Sequence, residues 1–105
     1  AGTTASDALW MGTPIVTRAG RTYISRMAGS LLTAVGLPDL ITDNLADYEK
    51  LAITLGREPA RIKSYKRYLA EHGRTSPLFD IPQIVRDIET QFERLALAAR
   101  QPAAA

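Results

Sequence analysis

The 105 residues contain no cysteine and a single histidine. Without cysteine the chain has no disulfide, no thiolate metal ligand and no cysteine nucleophile, a usage that fits a reducing, cytoplasmic compartment. His72 has no second imidazole or thiolate with which to share a structural zinc, so no metal site is expected. No apolar run approaches the roughly 20 residues that span a bilayer, and no membrane partner is expected. The opening residues lack the basic and apolar regions of a signal peptide. They begin inside a motif, so they do not report on the targeting of a longer protein. Charge of one sign is also scarce: 13 Lys and Arg against 11 Asp and Glu leave a net +2. That excess is too small to imply nucleic acid unless it is clustered.

What is present is ordinary for a folded protein: 46% hydrophobic and 23% charged residues, enough for one domain or part of a larger one. Residues 4–11 read as a short helix stopped by Gly12, and Thr13-Pro14-Ile15-Val16-Thr17 as a strand. After Gly20, the spacing of Ile24, Met27, Ala28, Leu31, Leu32 and Val35 predicts an amphipathic helix ending at Gly36. Leu40-Ile41-Thr42 is long enough for a short strand. Asn44 is placed to cap a helix with Leu45, Tyr48, Ala52 and Leu55 on its inner face and Gly56 at its end. Pro59 opens a further helix carrying Ile62, Tyr65 and Leu69, stopped at Gly73. A last helix from Asp80 carries Ile81, Ile84, Val85, Ile88, Phe92, Leu95 and Ala99 in a stripe. Residues 101–105 have nothing to bury and read as a frayed, disordered tail.

This order is α/β and helix-rich, with two short strands and about five helices. Two short strands do not make a stable open sheet alone. Their partners are expected upstream, and the chain reads as a fragment. Until those partners are in place, the exposed sheet edge invites self-association.

The opening stretch is the most informative. Thr3, Thr4 and Asp7 lie on the first turns of a helix, whose free N–H groups and positive dipole end suit a phosphate. On the residues alone, the threonines read first as a capping pair and Asp7 as an acid favoured by the dipole.

Thr3-Thr4-x-x-Asp7-x-Leu9-Trp10-x-Gly12-Thr13-Pro14-x-Val16-Thr17 resembles the donor-binding signature of O-linked N-acetylglucosamine transferases. The likeness continues through Gly20-Arg21-Thr22-x-x-Ser25-Arg26-x-Ala28-x-Ser30-Leu31-Leu32, returns in Leu45-x-x-Tyr48 and again in Ser76-Pro77-Leu78-Phe79-Asp80. It covers about residues 2–92, and Gly20-Arg21-Thr22 and Gly36-Leu37-Pro38 look more like bacterial members. The resemblance implies a GT-B architecture of two Rossmann-like halves behind tetratricopeptide repeats. Residues 1–100 would be the C-terminal segment of the nucleotide-sugar-binding half, and the last helix would run back toward the other half. It also implies inverting transfer of N-acetylglucosamine from UDP to serine or threonine hydroxyls of proteins, with no cofactor and no bound metal.

The same resemblance assigns Thr3 and Thr4 to the diphosphate and Asp7 to the ribose hydroxyls. Gly2 stands where the family often has histidine, so only its backbone N–H remains to approach phosphate. The family's lysine on the leaving phosphate, its cleft histidines and its protein-acceptor repeats lie upstream. The fragment alone is therefore expected to be inactive and to retain only part of the UDP-sugar contacts.

Other residues have simpler readings. Arg26 is expected in an ion pair, Trp10 and Tyr23 in packing, and His72 in solvent near a helix end. Arg57, Arg61, Lys63, Lys66, Arg67 and Arg74 form a basic run without an aromatic stacking set. It reads as a solvated face with no nucleic-acid partner. The competing function is a non-catalytic protein-interaction module built from the three C-terminal helices.

Overall fold

The computed structural model describes residues 2–101. Helix α1 (Thr3–Trp10) is followed by strand β1 (Thr17–Arg18), helix α2 (Tyr23–Val35) and a 3-10 turn at Pro38–Leu40. Strand β2 (Ile41–Thr42), helix α3 (Leu45–Arg57) and helix α4 (Pro59–Tyr68) come next. Helix α4 runs on as a π turn over Leu69–Gly73, and helix α5 (Ile81–Arg100) completes the described chain. The tail expected at 101–105 lies outside the described residues beyond Gln101.

The two strands pair in parallel, Thr17 opposite Ile41 and Arg18 opposite Thr42. The Thr42 hydroxyl donates to the Thr17 carbonyl at 2.9 Å and fastens the same pair. Strand β1 is shorter than the expected 13–17 segment and displaced toward its C-terminal end. Pro14 has no N–H for a ladder, and pairing begins three residues beyond it.

Leu9, Leu32, Val35, Leu37, Leu40, Leu55 and Leu69 form the buried core. Each fully buried leucine is worth about 1.5–3 kcal/mol relative to exposure. Leu40 belongs to this core from the 3-10 turn and not from a strand. Of the α2 stripe, Leu32 and Val35 are buried and Met27, Ala28 and Leu31 half-buried, whereas Ile24 is exposed.

Three expectations need correction. In α3, Leu45, Tyr48 and Ala52 are exposed, and the helix touches the core through Leu51 and Leu55. The period was right, but the face was set by where the core lies. Helix α3 also continues past Gly56 to Arg57, with Glu58 as its C-cap ahead of Pro59. The α5 stripe is uncovered: Ile81, Val85, Ile88, Phe92 and Leu95 are exposed, and no residue of the helix is buried.

Helix α5 stands on local interactions. Asp80 caps it by accepting from the Gln83 N–H at 3.2 Å. The pairs Gln83–Asp87 at 2.8 Å and Arg94–Gln91 at 3.0 Å brace its solvent side. At about 1.5 Å per residue it is roughly 30 Å long, a large part of the 60 Å length of the molecule.

Helices α1 and α2 pack against one another. At one end Gly2 lies beside Met27, where a Cβ on the glycine would sit 3.5 Å from Met27 Cγ. At the other end the chain leaving α4 meets both C-termini: the Tyr68 hydroxyl donates to the Val35 carbonyl, and the Arg74 guanidinium lies over the Trp10 ring.

Candidate functional site

The start of α1 is built for exposure. Ala5 and Leu9, four residues apart, are 2% and 1% exposed and seat one face of the helix in the core. Thr3, Thr4 and Asp7 occupy the opposite sector, because positions three and four apart share a helix face. All three side chains are exposed. The structure thus brings the three expected residues together on one outward strip.

The helix start carries no internal cap. Gly2 is the N-cap and makes no side-chain bond, and no acidic residue occupies the first turn. The first intrahelical bond runs from the Ser6 N–H to the Gly2 carbonyl at 3.0 Å. The preceding N–H groups have no partner within the helix, as the geometry of a helix start dictates. Gly2 has ordinary dihedrals, φ −81° and ψ −70°, and ordinary van der Waals room for a Cβ. Backbone conformation does not demand glycine there; its effect is to leave the helix start bare.

Beside this start lies a cavity of about 910 Å³, walled by Ala19, Tyr23, Arg26, Met27, Gly29 and Ile41 among others. It could not be read from sequence, because its walls come from α2, from Ala19 just after β1 and from Ile41 of β2. Met27 is shared between the cavity and the contact with Gly2, so the two features adjoin.

Arg26 departs from expectation. Among the described residues it has no carboxylate partner; its guanidinium donates instead to the Gly20 carbonyl at 3.1 Å. Tyr23 is 77% exposed and does not pack. Trp10 does pack, edge-on to Phe79 with centroids 5.0 Å apart and under Arg74 at 4.1 Å. His72 is exposed, with Nε2 3.8 Å from a Glu71 carboxylate oxygen. Lys63, Lys66 and Arg67 line the solvent side of α4, as a solvated face requires.

Among the described residues, no three His, Cys, Asp or Glu side chains come together as a metal-ligand group. No described helix is long and apolar enough to cross a membrane.

A family model for glycosyl transferase family 41 matches residues 1–88. The chain belongs to this family. It is 33% identical over 93 residues to the SPINDLY protein of Eustoma exaltatum subsp. russellianum, named a probable UDP-N-acetylglucosamine–peptide N-acetylglucosaminyltransferase. That alignment covers 89% of this chain and 10% of the relative. Similarity to the UDP-N-acetylglucosamine–peptide N-acetylglucosaminyltransferase of Caenorhabditis elegans is 34% over 87 residues, covering 83% of this chain and 8% of the relative. The SEC protein of Arabidopsis thaliana, whose name carries the same activity as probable, is 32% identical over 94 residues, 89% of this chain and 10% of its own length. The chain therefore spans about a tenth of the length of these family 41 relatives or less. The matched region includes Thr3, Thr4, Asp7 and the wall of the adjoining cavity.

Proposed function

We propose that this chain is the donor-binding segment of a glycosyltransferase that moves N-acetylglucosamine from UDP-GlcNAc to serine or threonine hydroxyls of proteins. The observation that carries the reading is the bare start of α1, with Thr3, Thr4 and Asp7 on its exposed strip. Family membership and the names of the relatives support the donor and the acceptor class.

In this reading the Thr3 and Thr4 hydroxyls and the free N–H groups donate to the diphosphate, and Asp7 accepts from the ribose hydroxyls. Gly2 contributes its N–H and leaves room for the phosphate to approach. During transfer the acceptor oxygen bonds to the anomeric carbon, and the bond from that carbon to the diphosphate breaks. UDP departs with the electron pair, and the hydroxyl proton passes to a base outside this chain. Donors already aimed at the diphosphate hold the charge that builds there, so no metal ion is needed for that role. The remaining catalytic groups, the second Rossmann-like half of a GT-B architecture and the acceptor-binding repeats belong to a bacterial, cytoplasmic parent. The fragment alone binds UDP weakly and turns nothing over.

The test is a titration of the isotope-labelled chain with UDP, followed by amide chemical shifts. Shifts clustered at Thr3, Thr4 and Asp7 support the site. Shifts confined to Lys63, Lys66 and Arg67 replace it with general anion attraction.

One observation favours the competing reading of a helical interaction module: the uncovered apolar stripe of α5. The two are separated in the full-length parent by replacing Thr4 and Asp7 in turn. Unchanged transfer rates would leave the interaction module as the better account.

A further inference from the structure

Every carbonyl in the last turn of α1 is taken, one of them from far along the chain. The Asp7 carbonyl accepts from the Met11 N–H at 3.0 Å, that of Ala8 from Thr13 at 2.8 Å and that of Leu9 from Gly12 at 3.1 Å. These are bonds that a helix end makes with the turn following it. The Trp10 carbonyl is the fourth, and it accepts from Arg74 Nε at 3.5 Å, 64 residues away. That bond is long, but the guanidinium also brings its charge to the negative end of the helix dipole. The same group lies 4.1 Å from the centroid of the Trp10 ring, a cation against the electron-rich face of an indole.

Phe79 closes on the same ring edge-on, with centroids 5.0 Å apart. Arg74 and Phe79 are the two ends of one short connector, and that connector is tied to itself. The Ser76 N–H and the Ser76 hydroxyl both donate to the Gly73 carbonyl, and the Phe79 N–H donates to the Ser76 carbonyl at 3.1 Å. Ser76 is buried. Among the described residues Arg74 has no carboxylate partner to draw it off the ring. The stretch Ser76-Pro77-Leu78-Phe79-Asp80 therefore does more than lead into α5: together with Arg74 it grips Trp10.

Trp10 follows Asp7 by three residues and Thr3 by seven, so it ends the helix strip that carries them. Ala5 and Leu9 seat the opposite face in the core. Apolar burial is non-directional, so the rotation and lengthwise setting of α1 fall to the grip on its open face. The helix is a rod of about 12 Å, and holding one end decides where the other stands. We infer that Arg74 is a positioning residue of the donor site. Through Trp10 it holds α1 where Thr3, Thr4 and the bare N–H groups meet the diphosphate of the nucleotide sugar. The inference rests on the donor-site reading of α1, and Arg74 itself touches no ligand. Hydrogen bonds to phosphate weaken steeply away from their ordinary distance and angle, so a shifted helix start loses part of several at once.

The test uses the full chain and UDP as the probe, with amide shifts and apparent Kd as readouts. Arg74→Ala is expected to move the Thr3 and Thr4 amides before any UDP is added. It is then expected to weaken UDP about threefold, because UDP binds the gripped arrangement and Kd rises as that population falls. Trp10 is the only tryptophan, so its emission reports release of the grip. Arg74→Lys keeps a cation and a donor at the helix end and is expected to recover most of the affinity. Asn44→Ala removes the cap of α3, away from α1, and is the control for stability lost without displacement of the site; its Kd is expected to match wild type. An unchanged Kd in Arg74→Ala, an equal loss in Asn44→Ala, or no recovery in Arg74→Lys overturns the inference and leaves the α1 site standing. A weaker Kd with unmoved Thr3 and Thr4 amides makes Arg74 a direct contact and overturns its positioning role. Silence of wild-type Thr3, Thr4 and Asp7 toward UDP overturns the donor reading and this inference with it.

Discussion

The Tyr68 hydroxyl sits over Gly36. It donates to the carbonyl of Val35 at 2.9 Å, and a Cβ built on Gly36 would overlap the phenol oxygen. Gly36 is also the C-cap of α2, at φ +91°. Two independent requirements, a left-handed backbone and an open face for the phenol, fall on one residue.

Gly36→Ala is therefore expected to cost about 2–3 kcal/mol, combining the left-handed penalty with displacement of a partly buried hydrogen bond. Tyr68→Phe alone should cost about 1 kcal/mol. The double variant should lose less than the two single losses added, because removing the hydroxyl also removes the clash. Urea denaturation of the four proteins measures this.

Alkaline pH should weaken the contact between α4 and the 3-10 turn. The Tyr65 hydroxyl donates to a carboxylate oxygen of Asp39 at 2.5 Å. Partial burial, and then this bond to a carboxylate, raise the Tyr65 pKa above its ordinary value near 10. A raised pKa in the folded state means stability that is fully present below pH about 10 and lost as pH rises through the higher folded value. Wild type should lose stability in that window, and Tyr65→Phe should lose less, as followed by thermal melts across the alkaline range.

Asn44 begins α3 with its side-chain oxygen Oδ1 accepting the Asp47 N–H at 2.8 Å. Asn44→Ala should cost about 1 kcal/mol, the usual value of such a cap. Hydrogen exchange should locate the loss in the first turn of α3, with Leu55 and the core unaffected.

Two apolar substitutions should differ sharply. Leu32 is fully buried, and Leu32→Ala should cost about 3 kcal/mol, from lost transfer energy and the cavity left behind. Phe92 is 66% exposed on α5. Phe92→Ser should change stability of the isolated chain by no more than about 0.5 kcal/mol, as surface positions do. Chemical denaturation of the two variants reads the contrast directly.

The elements most easily read in advance were those with local causes. The stop at Gly36, the cap at Asn44, the start at Pro59 and the cap at Asp80 are each decided within four residues, and each stands where the residues place it. The outward strip of Thr3, Thr4 and Asp7 was legible for the same reason: the helical period alone sets Ala5 and Leu9 against it.

The amino-acid sequence by itself determined the order of helices and strands, the caps, the amphipathic period of each helix and the signature at the start of α1. These depend on near neighbours, and near neighbours are written in order along the chain. Only the tertiary structure decided which face of α3 turns inward, that Ile24 and the α5 stripe stay uncovered, and that Arg26 braces a turn instead of pairing with an acid. It alone set Gly2 against Met27 and opened the cavity walled by α2, Ala19 and Ile41. Those outcomes depend on the direction from which distant segments arrive, and a period of 3.6 residues carries no information about that direction.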